Sequence, residues 1–297
     1  MNAFPKVLLA ALIVSIGSTA LAGDDDKESL KMEALQALMS APPERALPIV
    51  AKVLKGNGSD ELKEHALFVL GQIDLPEARA LLVETARSGD SQLRHEAIRS
   101  IGIGGDRDAL KELGAIYASG DEDTKEAVLE AYLIADDRKG VYDIAANTKD
   151  PDEFEMAVEK LGAMGATEEL RALRDKGVGA EALIHAYAVS GDVESLTALA
   201  TDGSDPERQM EAIQGLGIAG GDEVGKTLVS VFRSSNSDDV KTAALNGLMI
   251  AGDDKSVLEL YQSSTDAEEK RALIQTLVNM DSDAVWSIID KTLEEGQ

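Results

Sequence analysis

Along most of this chain, apolar residues recur three or four positions apart in short stretches, and polar turns rich in aspartate and glycine separate the stretches. Over residues 90–118, Leu93, Ala97, Ile98 and Ile101 share one helical face. Leu110, Leu113 and Ile116 or Tyr117 share another. The pattern predicts two amphipathic helices divided at Gly102, Gly104 and Gly105, where a left-handed backbone costs glycine nothing. Asp106 is placed to cap the second helix by accepting from the free amides of its first turn. Neither helix is long enough to hold in water alone, so each must bury its stripe against a neighbour.

The unit repeats. Copies align on a small residue followed by an aliphatic one, with a third apolar residue four positions after the first. The anchors are Ala34, Ala66, Ala97, Val128, Ala157, Ala182, Ala212, Ala244 and Ala272, separated by 25 to 32 residues. A period near thirty with two helices per unit predicts an all-α fold, an α-solenoid of about nine two-helix repeats. The tryptophan and tyrosine signature of tetratricopeptide repeats and the T-P-L-H-like opening of ankyrin repeats are both absent.

Acid–base pairs open many of the first helices: Asp60 with Lys63, Asp90 with Arg94, Asp121 or Asp123 with Lys125, Asp205 with Arg208, Asp238 with Lys241, and Asp266 with Lys270. In this the units resemble the short bacterial HEAT-like repeats found in exported HEAT-repeat proteins. In that family such pairs help to bind one repeat to the next, and the resemblance implies the same here. The unit of Ala157 has Asp152 but Glu155 where the base would stand. The unit of Ala182 lacks both, which places a weak joint near residues 176–181. The resemblance covers roughly residues 28–297 and carries fold rather than function.

The repeat region is taken as residues 30–297. Before it, Lys6, the apolar run Val7 to Val14 and the small residues Ala20 and Ala22 read as a secretory signal peptide, residues 1–22, cleaved before Gly23. A membrane anchor would need about 20 apolar residues, more than this run supplies. Residues 23–29 are charged and expected to be disordered. The absence of cysteine removes a lipoprotein attachment site and any disulfide framework. The style of the signal points to a soluble periplasmic protein of a Gram-negative bacterium, with no membrane insertion after cleavage. Trp286, the single tryptophan, is expected to close the C-terminal end of the stack.

Charge then narrows the partner. Without the signal, 28 basic residues face 55 acidic ones, a net −27. Nucleic acid is excluded as a partner, because phosphate contacts need a basic surface. The run Gly220 to Thr227 spells the phosphate-loop pattern G-x-x-x-x-G-K-[ST], and Gly215 to Gly220 spells G-x-G-x-x-G. Both lack the preceding strand these motifs need, and both fall where repeat turns recur. His65, His95 and His185 show no metal or hydrolytic spacing. Acidic clusters at Asp121–Asp123, Asp136–Asp137, Asp150–Glu153, Asp238–Asp239, Asp253–Asp254 and Asp281–Asp283 fall in turns. Helix capping with solubility explains them first, attraction of a basic protein second, and calcium third. The expectation is an exported scaffold or adaptor in the bacterial envelope that binds another protein, without catalytic residues or cofactor. The alternative is a HEAT-like accessory lyase or other enzyme with its site in the solenoid groove. Some HEAT-like proteins attach bilin pigments and others are DNA glycosylases.

Overall fold

The computed structural model describes residues 24–174 and 179–294. Ala20, Ala22 and Gly23, the expected cleavage site, lie outside the described residues, as do residues 176–178 of the expected weak joint.

Eighteen α-helices form nine pairs among the described residues. The first helices are α1 (Asp24–Ala37), α3 (Asp60–Gly71), α5 (Ser91–Gly104), α7 (Glu122–Ile134), α9 (Pro151–Ala163), α11 (Ala180–Ser190), α13 (Pro206–Ala219), α15 (Asp238–Ile250) and α17 (Ala267–Asn279). The second helices are α2 (Pro43–Leu54), α4 (Pro76–Ser88), α6 (Arg107–Ser119), α8 (Arg138–Asn147), α10 (Thr167–Leu173), α12 (Val193–Thr201), α14 (Asp222–Ser234), α16 (Asp254–Ser263) and α18 (Asp283–Glu294). Each anchor of the sequence repeat falls in one first helix, and the stack is an α-solenoid of two layers.

Aspartate punctuates it. Asp90, Asp106, Asp121, Asp137, Asp150, Asp192, Asp205, Asp253 and Asp266 each cap a helix, the carboxylate accepting from backbone amides of the first turn. Ser59 and Ser237 do the same for α3 and α15.

The core is aliphatic, and the anchor mostly points into it. Ala66, Ala97, Val128, Ala157, Ala212 and Ala244 are fully buried. Two registers differ from expectation by one residue. In α11 and α17 the buried sets are Leu183, Ile184 and Tyr187, and Leu273 with Leu277, so Leu183 and Leu273 are the true equivalents. The alanine before each had drawn the alignment back by one. Residues 24–29, expected to be disordered, begin α1; its Glu28 accepts a hydrogen bond from the Ser59 hydroxyl of the next repeat. Trp286 does not close the stack: it is 59% exposed, and Val285 is the buried residue of α18.

One seam sets the spacing of the first layer. Five positions after the anchor stand Gly71, Gly102, Gly162 and Gly217. Each abuts a small residue, Ser100, Ala131, Ala186 and Gly247 respectively, three positions after the next repeat's anchor. Ala188 meets Gly215 in the same way. A Cβ on Gly102 would lie 2.7 Å from the Ala131 carbonyl oxygen, so these backbones touch directly. At the corresponding places the α7–α9 joint has Leu133 and Lys160, and the α15–α17 joint has Met249 and Thr276. There the first helices stand further apart. Among the described residues, neighbouring second helices nowhere pack as closely as the seamed first helices.

Candidate interaction surface

The acid–base pairs act partly as the resemblance implied. Arg94 of α5 reaches Asp121 of the next repeat at 3.7 Å. Lys125 reaches Glu153, and Lys241 reaches Glu269, each at 2.6 Å. Both glutamates also accept from a hydroxyl, Thr148 at 2.7 Å and Ser264 at 2.9 Å. The lysine hydrogen bond, more than any other contact, holds each carboxyl below the usual glutamate range. These two joints are the wide ones, so an ion pair stands where the small-residue seam is missing. Lys125, Lys241 and Lys270 also lie over the rings of Tyr117, Phe232 and Tyr261 at 5.8, 5.6 and 5.2 Å.

Other pairs depart from the expectation. Among the described residues, Lys63 and Arg208 form ion pairs with the aspartates at the start of their own helices, Asp60 and the cap Asp205, and not with the next repeat. In the unit of Ala157 the base's place, three before the anchor, belongs to Phe154 rather than Glu155, and it is buried beside Gly179. The unit of Ala182 is tied instead through its second helix. Arg171 of α10 donates to both oxygens of Asp192, which is 2% exposed and caps α12. Burial alone would raise the pKa of Asp192, but hydrogen bonds from Arg171 and Ser195 outweigh it and hold the carboxyl below its ordinary value. Helix α11 packs on α9 and α13 as closely as the other seamed first helices do.

Neither glycine motif builds a phosphate site. Gly220 and Gly221 have φ of 67° and 99° and end α13, so a helix precedes them and not a strand. Gly225 is small because the Asp253 carboxylate occupies its place: a Cβ there would fall 2.0 Å from Oδ2. Lys226 binds Glu223, and the Thr227 hydroxyl donates to the Glu223 carbonyl. His65 and His95 are partly buried with Nε2 unpartnered, and His185 is exposed on α11. No group of three or more potential metal ligands converges among the described residues.

The acidic excess, by contrast, has a place. The nine first helices hold 24 acidic and 11 basic residues, a net −13, whereas the second helices hold 16 and 13, a net −3. Second-layer charges neutralise one another across neighbours: Arg79 with Asp106 and Asp108, Arg87 with Glu112, Arg171 with Glu194, Arg233 with Glu259. On the outer face of the first layer, Asp123, Glu126 and Glu130 of α7 follow at one-turn and near-one-turn spacing, and Asp152, Glu155 and Glu159 repeat them on α9. Glu181 of α11 and Glu207 and Glu211 of α13 extend the band. No lysine or arginine among the described residues pairs with these nine. Two open grooves lie along it, one over α3, α5 and α7 and one over α9, α11 and α13. Burial, and then its neighbour Glu181, raises the pKa of Glu211. Burial also raises that of Glu96, with Glu64 adding to it.

Beside the acidic band runs an apolar row. Ten large apolar residues are exposed among the described residues. Leu30, Met39, Ile49, Trp286 and Leu293 belong to the two end units, while Ile134, Val189, Ile218, Ile250 and Val278 all lie in the last turn of a first helix. Alignment at the sixth position after the anchor would have shown Ile134, Val189, Ile218 and Ile250, with Val278 one position earlier in its unit; reading only the buried positions missed them.

A separate groove of 890 Å³ opens between α6 and α8, lined by Tyr117, Tyr132, Gly114 and Gly140 among others. The Tyr132 hydroxyl donates to the Leu110 carbonyl at 3.2 Å, while the buried Tyr117 hydroxyl has no partner.

A family model agrees with the repeat over part of the chain. Residues 50–132, from α2 into α7, match the family model described as HEAT repeats. Residues 50–132 are HEAT repeats. Similar solved structures include the complex of CpcE and CpcF of phycocyanin lyase from Nostoc sp., at 17% identity and TM-score 0.35, covering 90% of this chain and 99% of that one. Human deoxyhypusine hydroxylase in complex with glycerol is similar at 16% identity and TM-score 0.33, covering 91% and 93%. Likeness at this level places no activity on the present chain. No curated protein matches it.

Proposed function

We propose that this HEAT-repeat chain is an exported, non-catalytic scaffold or adaptor of the bacterial envelope that binds another protein along its first-helix layer. The observation that carries the reading is the segregation of charge, net −13 on one layer and −3 on the other. A requirement for solubility alone is met by charge on either layer, and capping uses only the turns. The seam makes the surface a preformed one, since touching backbones leave the first helices little room to rearrange. Export rests on the N-terminal pattern ending at Ala20 and Ala22. No helix among the described residues is long and apolar enough to cross a membrane.

The test is a pull-down from envelope extract with the mature chain as bait, at low and high salt. A stoichiometric partner retained at low salt supports the reading. An empty bait at both salts overturns it. Fractionation and the mass of the mature N-terminus test export, with cleavage after Ala22 expected.

A second reading, an enzyme with its site in a solenoid groove, has one observation in its favour, the groove at Tyr117. Burial, and then Glu153, pushes the Tyr117 phenol above its ordinary pKa, so it would serve there as a hydrogen-bond donor and not as a base. Activity lost in Tyr117→Phe with the fold intact would favour that reading.

A further inference from the structure

The partner's chemistry can be read from the first-layer face, an inference that rests on the scaffold reading. We propose that the occupant of this face is a basic amphipathic helix of another protein, laid across the first helices with its aliphatic stripe on the row Ile134, Val189, Ile218 and Ile250 and its cations over the acidic band.

Three features carry this. Ile134, Val189, Ile218 and Ile250 are 49%, 51%, 52% and 48% exposed, each at the same register. Scattered apolar residues need no explanation, but a row rimmed by charge marks an interaction face. Ala163 holds the same register in α9, and partly buried Ile103 holds it in α5.

The second feature is the distance between row and band. Glu130 precedes Ile134 by one turn, about 5–6 Å along the helix. A helix about 10 Å across therefore covers both, with apolar and cationic flanks side by side. Packed helices lie about 8–10 Å apart, so the row offers one aliphatic contact per step of that length. At 1.5 Å per residue a crossing helix meets it about every five to seven residues.

The third is charge complementarity. Among the described residues no lysine or arginine forms an ion pair with Glu126, Glu130, Glu155 or Glu159, and the crowding at Glu211 with Glu181 favours an incoming cation.

The probe is a synthetic lysine–leucine helix with leucines at about seven-residue spacing, compared with a scrambled peptide of the same composition. Binding is read by fluorescence anisotropy against the mature chain at low and high salt. Two variants carry the test: Ile134→Ser with Val189→Ser and Ile218→Ser, and Glu126→Gln with Glu130→Gln, Glu155→Gln and Glu159→Gln. The control is Glu44→Gln with Glu84→Gln, Glu168→Gln and Glu169→Gln on the second layer. Circular dichroism confirms that each folds, which the exposure of the replaced residues favours. The expected result is salt-sensitive binding, weakened at least tenfold in both first-layer variants and unchanged in the control. No binding of the registered peptide, equal binding of the scrambled one, or a serine variant that binds like wild type overturns the inference. An envelope partner captured equally by all variants also overturns it while leaving the scaffold reading in place. A bait that captures nothing strikes the scaffold reading itself.

Discussion

Replacing Gly102 and Gly114 by alanine should move stability in opposite directions, although both are glycines inside helices. Alanine gains roughly 1 kcal/mol of helix propensity at either site. At Gly114, on the surface of α6, the new methyl meets nothing closer than the Tyr132 hydroxyl at 3.7 Å, an ordinary contact. The full gain should therefore appear. At Gly102 the methyl would stand 2.7 Å from the Ala131 carbonyl oxygen and 2.8 Å from its Cα. Both are backbone atoms, so the only relief is to push α7 away from α5. Overpacking of this kind costs about 1–3 kcal/mol, which offsets the propensity gain and leaves a net loss of up to about 2 kcal/mol. The two variants should thus differ by about 1–3 kcal/mol in urea denaturation followed by far-UV circular dichroism. Gly217→Ala should behave like Gly102→Ala, because its methyl would meet the Gly247 carbonyl oxygen at 2.7 Å. If Gly102→Ala and Gly217→Ala stabilise as much as Gly114→Ala, the glycine seam does not set the spacing of the first layer.

Gly140→Ala should destabilise, since a Cβ there would sit 2.6 Å from the Tyr132 ring, and adding Tyr132→Leu, the residue type at this register in several repeats, should recover most of the loss in thermal melts. Arg171→Met leaves the buried Asp192 without its cation and should cost roughly 2–3 kcal/mol, tempered because Arg171 is itself 40% exposed; a loss below about 0.5 kcal/mol in urea titration would refute the role given to this pair. Acid should weaken the wide joints: Glu153 and Glu269 have folded pKa values below their ordinary ones, so their contribution is complete above the ordinary glutamate pKa and disappears as pH falls through the lowered values. Glu153→Gln with Glu269→Gln should accordingly flatten the acid limb of melting temperature against pH below about 4.5, and an unchanged limb would count against it.

The repeat was legible because its signal is periodic burial: nine anchors, about thirty residues apart, mark nine first helices. Capping was equally plain, since an aspartate before an amphipathic stretch has one cheap thing to do, and Asp106 does it. The register at Leu183 and Leu273 was misread because Ala182 and Ala272 satisfy the same small-then-aliphatic rule one residue early. Phe154 and Gln209 escaped notice as members of the ladder for a related reason. An uncharged residue at the base's position leaves no mark in a search for acid–base pairs, although Gln209 still bonds the Ala200 carbonyl across the turn at 2.9 Å. Trp286 was assigned to the end cap as the single tryptophan of the last unit, whereas it is exposed and its neighbour Val285 is the buried residue of α18. The surface was the least legible part. Which layer carries the excess charge depends on sorting residues by helix, and the apolar row appears only when positions are compared at the right register across repeats.

Packing and charge in the first layer meet at the joints, and there the arrangement argues against stability as its sole purpose. The small-residue seam draws α3 to α5 and α11 to α13, and so sets Glu64 near Glu96 and Glu181 near Glu211, where each neighbour adds to burial in raising the pKa of Glu96 and of Glu211. This repulsion adds to the cost of partly burying Glu96 and Glu211, and none of the four carboxylates belongs to the buried core. The same chain shows what a stabilising solution looks like: at the wide joints Lys125 and Lys241 cross to Glu153 and Glu269 and neutralise them. At the seamed α3–α5 and α11–α13 joints like charges face one another, although Arg99 of α5 also reaches Glu96 at 3.4 Å, whereas at the wide α7–α9 and α15–α17 joints opposite charges are paired. A cation from outside relieves the first kind of site and has little to gain at the second. The seam thus builds a face whose unfavourable electrostatics are resolved by a partner, and it is at α3–α5 and α11–α13 that such a partner should gain most from the charge.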